Sequence, residues 1–264
     1  DATGGLPIWN TKAGTYDPKD SDGNDVDYGE VRETTYRQDN KPGGSGGNAA
    51  GTTSGSGLVF AFPFSTEYNN WPMPDEHDHI NTGSSAKVLN AANNAKHVNT
   101  ISKYYGTSGL LVSGAATPGD AWYVTDHADL AFGTGDYTVE FWFRPTDLFN
   151  NFSLYDGRAA VGSGSDGFSI VGNGDGKIST YTAGGYVCQS PNKVISINNW
   201  HHIAVVRNSG TQKLYIDGIE RASASNSTDH TAQKCVIGNA ANHATGGEGS
   251  KGYFQDFRIY KGTA

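Results

Sequence analysis

From Leu58 to its end, the sequence is a series of short runs rich in β-branched and aromatic residues. Breaks rich in glycine, asparagine or serine separate these runs roughly every 8 to 15 residues. Only 17% of the residues are charged and one is methionine, whereas 36 are glycine, so residues that favour long helices are scarce. This pattern predicts an all-β fold of short strands and tight turns, with a two-sheet antiparallel sandwich or jelly roll as the expected architecture.

The run "YTVEFWFRP" shows the alternation that such a sandwich requires. Because side chains of a strand point alternately to the two faces, four apolar residues are expected on the core face; they are Tyr137, Val139, Phe141 and Phe143. The opposite face should carry Thr138, Glu140, Trp142 and Arg144. Glu140 on that face needs either solvent or a partner such as an arginine.

Residues 1–57 differ from the rest in composition. They contain nine acidic and five basic residues, a net charge of −4, and they end in the linker-like sequence "KPGGSGGNAAGTTSGSG". The segment has too few apolar residues to form a core of its own. We therefore expect an extended N-terminal arm over residues 1–57, which orders against the main domain or a neighbouring subunit, followed by one domain over residues 58–264. Because the sequence begins at Asp1 rather than methionine, we also expect a processed product or a part of a longer protein.

Two motifs in the last third of the chain can be interpreted as sites or as structure. In "WHHIAVV", adjacent strand residues point to opposite faces, so His201 and His202 are not expected to chelate one ion together. In "LYIDGIE", Asp217 and Gly218 predict a type I′ hairpin turn. Strands 201–207 and 212–217 should accordingly form a hairpin, and the stretch is interpreted as sheet interior.

Three blocks of the sequence resemble one known superfamily. They are "LAFGTGDYTVEFWFRPTDL", "NNWHHIAVVRNSGTQKLYIDGIERASAS" and "GYFQDFRIYKGTA", and with the strands between them they cover roughly residues 110–264. In this order and spacing they resemble the laminin-G-like, concanavalin A-like lectin and glucanase jelly rolls. The resemblance implies a two-sheet sandwich and a carbohydrate-binding or adhesive role, often with a bound calcium ion.

The first part of the chain resembles a narrower group. "GLPIWNTKAGTY", "SGLVFAFPF" and "SKYYGTSGLLVSG" are similar to the lead-in of such domains in structural proteins of marine bacteriophage virions. This resemblance implies a non-enzymatic virion protein (a fibre, decoration or tail protein) that contacts other subunits through residues 1–57 and attaches to cell-surface glycans. A secreted bacterial lectin, adhesin or filament subunit is the alternative, and either one places the protein in a virion or outside the cell.

A glycoside hydrolase is the third possibility, and the sequence disfavours it. Related glucanases place their catalytic carboxylates at alternate positions of one strand, at the spacing that retaining hydrolysis needs. The comparable strand here carries Glu140 alone, without a carboxylate at position 138 or 142. The sequence also has no G-x-S-x-G, H-E-x-x-H or phosphate-loop motif.

Aromatic residues beside amides are candidate sugar contacts, since ring faces stack on sugars and amides bind hydroxyls. Loop packing is the alternative at each position. The candidates are Tyr68, Asn69, Asn70, Trp71, Tyr181 and Tyr186.

Calcium is the expected metal if one binds, because it takes oxygen ligands from carboxylates and loop carbonyls. Asp156, Asp166 and Asp175 lie in glycine-rich turns that could meet at a sandwich rim, with a solvated turn as the alternative for each. Weaker candidates are the two clusters Asp20, Asp22, Asp25 and Asp27, and Asp75, His77, Asp78 and His79.

The net charge of −8 and the sequence pI near 5.4 disfavour two classes of partner, nucleic acid and anionic membranes. No apolar run is long enough to predict a transmembrane helix or membrane insertion. Cys188 and Cys235 are either a pair across neighbouring strands or two buried free thiols.

Overall fold

The computed structural model describes the backbone of residues 9–10 and 15–16, and residues 57–64, 83–85, 87–104, 107–112, 114, 119–161, 166–182, 184–242 and 248–264. The chain forms two compact units, Asp1–Gly47 and Asn48–Ala264. In the first unit, β1 (Trp9–Asn10) pairs antiparallel with β2 (Thr15–Tyr16). The predicted domain boundary after residue 57 stays a prediction.

The second unit contains two antiparallel sheets, which confirms the predicted all-β sandwich. The eight-stranded sheet comprises β3 (Leu58–Phe62), β5 (Lys96–Val98), β6 (Ser108–Leu111), β8 (Tyr137–Pro145), β13 (His201–Asn208), β14 (Thr211–Ile216), β15 (Ile219–Ser225) and β17 (Gly252–Lys261). Its order is β15-β14-β13-β8-β17-β6-β5, and β3 also pairs with β17. Such a sheet can bury one face and expose the other.

The seven-stranded sheet comprises β4 (Leu89–Ala92), β7 (Ala121–Val124), β9 (Phe152–Asp156), β10 (Phe168–Gly172), β11 (Ile178–Thr182), β12 (Gly185–Gln189) and β16 (Cys235–Ile237). Its order is β12-β11-β10-β9-β16-β7-β4. In the described part of the chain, helix is limited to the 3-10 turn Ala128–Leu130.

The core lies between the two sheets and uses the predicted face of β8. Tyr137, Val139, Phe141 and Phe143 are fully buried, and the four residues that alternate with them are half-buried. Rings from opposite sheets meet directly: Tyr137 on β8 stacks on Phe168 of β10 with centroids 4.9 Å apart. Each of these buried side chains stabilises the fold by roughly 1.5–3 kcal/mol.

The hairpin prediction around "LYIDGIE" is confirmed. Asp217 and Gly218 have φ angles of 53° and 76°, so both central residues are left-handed, as a type I′ turn requires. The strands run over 201–208 and 211–216, close to the predicted ranges. The Asn-rich stretch after β4 is likewise a turn, since Asn93 has a φ angle of 57° and the Ala95 N–H donates to the Ala92 carbonyl at 3.2 Å.

The two cysteines are buried free thiols. Cys188 lies on β12 and Cys235 on β16, and three strands separate β12 from β16 in the sheet. At about 4.8 Å per strand, the two sulfurs are too far apart for a disulfide.

One end of the sandwich is organised by buried polar side chains. Arg207 is fully buried and donates to three backbone carbonyls, at 2.6 Å to Gly133, 2.7 Å to Gly135 and 2.7 Å to Thr228. Its guanidinium lies 4.7 Å from the centroid of the Tyr137 ring. Arg207 therefore joins the start of β8, the end of β13 and the loop after β15.

His230 packs beside this cluster and makes stability depend on pH. Burial and the neighbouring Arg207 lower the pKa of His230 from 6.5 to about 4, against a smaller opposing effect of Asp166. Because the folded-state pKa lies below the unfolded one, the unfolded state binds the proton first as pH falls. The free energy of unfolding should thus decrease by up to about 3 kcal/mol between pH 6.5 and pH 4.

This prediction can be checked by urea titrations at pH 7, 5.5 and 4.5 on the wild type and on His230→Gln. The variant lacks the imidazole, so its stability should fall less steeply over that range. Equal slopes for the two proteins would contradict the assignment to His230.

A search of the described residues finds no helix that is both long and apolar enough to span a membrane.

Candidate functional site

A single row of side chains crosses the outer face of the seven-stranded sheet. Each strand contributes one residue, and cross-strand pairing fixes their order as Tyr186, Tyr181, Ser169, Asp156, Val236, Tyr123 and Asn90. Directly paired residues share a face of the sheet. The row spans six strand spacings, or about 29 Å.

The next residues along the strands show which way the row faces. Tyr155, Ile170 and Ile237 are fully buried members of the hydrophobic core. Because successive side chains of a strand point to opposite faces, the neighbouring residues Asp156, Ser169 and Val236 point away from the core. Three sequence-predicted residues (Tyr181, Tyr186 and Asp156) therefore lie in one row on the side of the sheet away from the core, where Tyr186 is exposed and Asp156 is fully buried.

The row has an exposed aromatic end. Tyr186 is 55% exposed, and its ring makes an edge contact with the half-buried Tyr181, with centroids 5.4 Å apart. The guanidinium of Arg158 lies 5.5 Å from the centroid of the Tyr181 ring. Two tyrosine rings and a planar cation thus form a ledge at the sheet edge.

A buried ion pair supports this ledge. Arg158 donates Nε to Asp156 Oδ1 at 2.8 Å and an amino group to Oδ2 at 2.7 Å, while the Ala241 N–H donates to Oδ2 at 2.8 Å. Burial alone would lower the pKa of Arg158, but the Asp156 carboxylate outweighs it and raises that pKa. The bidentate pair fixes the plane of the guanidinium beside Tyr181.

Polar side chains continue the ledge along the β11–β12 hairpin. Lys177 donates Nζ to the side-chain oxygen of Gln189 at 3.3 Å, and Gln189 pairs with Ser179 across the strands. The hydroxyl groups of Ser169, a member of the row, and of Ser153 on the neighbouring strand β9 are buried without a hydrogen-bond partner in the structure. Because both serine hydroxyls are buried, the polar groups available along this hairpin are the Gln189 amide and the Lys177 ammonium.

The three predicted calcium ligands occupy different surroundings. Both oxygens of Asp156 accept from Arg158, Asp166 accepts from the Thr231 hydroxyl, and Asp175 is exposed in the turn between β10 and β11. Among the residues that the structure describes, no three His, Cys, Asp or Glu side chains form a group that could hold a metal ion. As arranged, these aspartates do not fit a shared calcium ion, and calcium binding by the protein stays a prediction.

Several other candidates lie outside the described residues. They are the predicted sugar contacts Tyr68, Asn69, Asn70 and Trp71, and the weaker metal clusters at 20–27 and 75–79.

Glu140 lies on the outer face of the eight-stranded sheet and has partners there. His202 Nε2 is 3.5 Å from its carboxylate, and Arg258 is its cross-strand neighbour. Burial alone would raise the pKa of Glu140, but His202, Arg258 and Tyr260 outweigh it and hold that pKa below its usual value. From the sequence, Glu140 needed either solvent or a partner such as an arginine; its ion-pair partner is His202, and the guanidinium of Arg258 pairs with Asp256.

His201 precedes His202 on β13, and its side chain joins two loops. Its Nδ1 lies 2.8 Å from Asp217 Oδ2, and the Ser196 N–H donates to Nε2 at 3.1 Å. Ser196 Oγ is also 3.3 Å from Nε2, a spacing reminiscent of an acyl-transfer triad. Because the backbone N–H already uses the Nε2 lone pair, the arrangement ties a loop to the hairpin turn.

A comparison with protein families matches residues 117–264 to the family described as the concanavalin A-like lectin/glucanases superfamily. The chain belongs to this superfamily. The matched region contains both strands of the ledge, the Asp156–Arg158 pair and most of each sheet. A comparison with curated protein sequences found no significant match.

Two solved structures illustrate the similarity of this fold to known proteins. Domain 4 of AbnA, an extracellular arabinanase from Geobacillus stearothermophilus solved with arabinotriose, is 16% identical with a TM-score of 0.51, over 78% of this chain and 92% of that one. The binding domain of botulinum neurotoxin serotype D is 14% identical with a TM-score of 0.50, over 77% of this chain. The match spans about half of the toxin domain, 48% of its length. At these identities the similarity concerns the fold.

Sequence reasoning missed Arg158 and the two buried serines, Ser153 and Ser169. Arg158 stands two residues after Asp156 in "YDGR", a spacing that lets an acid and a base pair on one side of a turn. Ser153 and Ser169 gave no usable signal, because their position depends on strand register.

Proposed function

We propose that the protein is a non-enzymatic carbohydrate-binding module that binds a saccharide at the Tyr181–Tyr186 ledge. The observation that carries this proposal is the cross-strand row, which places the exposed Tyr186 and the half-buried Tyr181 at the sheet edge beside the buried Arg158–Asp156 pair. Tyrosine rings provide apolar faces for the C–H groups of a sugar, and adjacent amides and hydroxyls bind its polar groups.

The ledge favours a neutral saccharide. Asp156 and Arg158 neutralise each other, and Lys177 donates to Gln189. The groups directly beside the two rings therefore carry no net charge, and the Lys177 ammonium, which stays positive, lies four residues before Tyr181 in the chain. Arabinotriose, the ligand of the arabinanase domain with the same fold, is therefore a suitable first probe.

Removing Tyr186 should weaken saccharide binding. We expect Tyr186→Ala to raise the Kd about tenfold, because one stacking ring contributes roughly 1.5 kcal/mol. Isothermal titration calorimetry with arabinotriose measures the Kd of both proteins. A glycan array screened with the wild type identifies further ligands for the same comparison. Tyr215→Ala, which removes a half-buried tyrosine from the other sheet, is the control. Unchanged affinity in Tyr186→Ala, or no ligand at all on the array, would count against the ledge.

The non-enzymatic part of the proposal has its own test. Bound oligosaccharides should be recovered intact after prolonged incubation, with no new reducing ends. Release of reducing ends by the wild type that disappears in Glu140→Gln would instead identify a hydrolase.

We also propose a place in an extracellular assembly, with a phage virion as the first candidate and a secreted lectin or adhesin as the second. The support is the sequence resemblance of the chain's first part, together with the distinct composition of residues 1–57. Deleting residues 1–57 should leave a folded β domain by circular dichroism that no longer joins its particle. Normal incorporation of the truncated protein would contradict the role of this segment.

A further inference from the structure

A second group of aromatic and basic residues lies on the outer face of the eight-stranded sheet. We define it as the cation–aromatic patch, formed by Lys103, Tyr104, Trp142, Arg144 and Tyr253. Arg144 pairs with Tyr253 across β8 and β17, and Trp142 pairs with Gln255 at the next outward position. The patch is thus on the sheet opposite the Tyr181–Tyr186 ledge.

The buried side chain of Gln255 holds the loop part of the patch in place. Its amide oxygen accepts from the N–H groups of Lys103 at 2.8 Å and Tyr104 at 2.7 Å, and its amide nitrogen donates to the Tyr104 carbonyl at 2.9 Å. Gln255 is fully buried beneath this loop. The positions of Lys103 and Tyr104 over the sheet are therefore fixed by three hydrogen bonds to one amide.

Both cations of the patch contact rings. Lys103 Nζ lies 4.5 Å from the Trp142 centroid and 5.5 Å from the Tyr104 centroid. Arg144 lies 5.6 Å from the Tyr253 centroid and donates Nε to the Asn198 carbonyl at 3.0 Å. Tyr104, which meets Trp142 edge-on, is 40% exposed. Contact with an aromatic ring does not neutralise a cation, so Lys103 and Arg144 stay positively charged next to an apolar surface.

The two cations of the patch lie beside aromatic rings, whereas several other basic residues of the chain lie beside carboxylates. Lys213 and Lys234 each pair with a carboxylate, at 3.0 Å to Glu220 and 3.3 Å to Asp126. Within the described part of the chain, neither Lys103 nor Arg144 forms an ion pair with a carboxylate. Other described basic residues also lack a carboxylate partner, such as Lys96, Lys193 and Arg221. What distinguishes Lys103 and Arg144 is therefore that each lies beside an aromatic ring on one face of the sheet. Two cations next to exposed aromatic surface suit a ligand that carries negative charge on a ring.

We propose that the cation–aromatic patch binds an acidic polysaccharide, one that carries carboxylate or sulfate groups along its chain. The anionic groups would pair with Lys103 and Arg144, and a sugar ring would lie against the exposed Tyr104. Trp142 and Arg144 occupy alternate positions of β8, so their attachment points are about 7 Å apart along the strand. This site is independent of the Tyr181–Tyr186 ledge and takes a charged ligand instead of a neutral one.

Affinity electrophoresis of the full chain tests this proposal, with polygalacturonate (carboxylate), dextran sulfate (sulfate) or neutral dextran in the gel. We expect at least one of the two anionic polymers, and not dextran, to retard the wild type. The double variant Lys103→Gln with Arg144→Gln should lose at least fivefold in affinity. The charge-retaining variant Lys103→Arg with Arg144→Lys should keep most of the retardation.

The matched control is Lys213→Gln with Lys234→Gln, which changes the net charge equally but removes lysines that already pair with acids. An equal loss in this control would overturn the proposal, because binding would then follow overall charge. No retardation of the wild type by either anionic polymer would also overturn it. Tyr186→Ala should leave this retardation unchanged, so failure of the ledge and failure of the patch can be distinguished.

Discussion

Replacing Arg207 with methionine should lower the free energy of unfolding by about 3–5 kcal/mol. This would be a large fraction of the stability of an ordinary domain. Urea unfolding followed by tryptophan fluorescence measures the effect.

The expected loss has two sources. Methionine fills much of the volume, but the carbonyls of Gly133, Gly135 and Thr228 would lose the donors that Arg207 provides. The Tyr137 ring would also lose the cation 4.7 Å from its centroid.

Two further variants make the interpretation specific. Arg207→Lys keeps the charge, yet a single ammonium cannot reproduce the planar fork, so it should fall between wild type and Arg207→Met. Lys213→Met, on the surface, should leave the urea midpoint unchanged. A wild-type midpoint for Arg207→Met would show that the carbonyls find other partners.

Replacing Asp156 with alanine should cost about 3–5 kcal/mol of stability and abolish saccharide binding at the ledge. The change leaves the guanidinium of Arg158 buried without its counter-charge, and it removes the acceptor of the Ala241 N–H. Arg158 would then leave its place beside Tyr181, so the surface that presents both tyrosines would be disrupted.

A double-mutant cycle separates the ion pair from other effects. Arg158→Met combined with Asp156→Ala should be less destabilised than the sum of the two single variants, because neither buried charge is then left alone. Strictly additive losses would mean that the two side chains stabilise the fold independently, contrary to their 2.7 Å contact.

The sandwich could be predicted because its signals are local. Alternation along "YTVEFWFRP" identified the core face of β8 correctly, and Asp217-Gly218 identified the hairpin. Both depend on residues close together in the chain, so no knowledge of sheet order was needed.

The candidate site could be predicted only in part, because it depends on register between distant strands. Tyr181 and Asp156 were chosen separately, one as a sugar contact and one as a calcium ligand, and Ser169 between them unites both in one row. The role of Asp156 changed when Arg158 proved to be its partner. Likewise, Gln255 lies about 150 residues from the loop that it holds, and no local pattern indicates such a contact.

The register shift between β11 and β12 also bears on solubility. Ser179 and Tyr181 are two positions apart on β11, but their partners Gln189 and Tyr186 are three positions apart on β12. The strand β12 therefore contains a β-bulge at the edge of its sheet. A bulge bends an edge strand and interrupts its regular row of donors and acceptors. The same irregularity that turns Tyr186 outward therefore makes this edge a poor template for strand addition by a second molecule, and so protects the sheet from edge-to-edge aggregation.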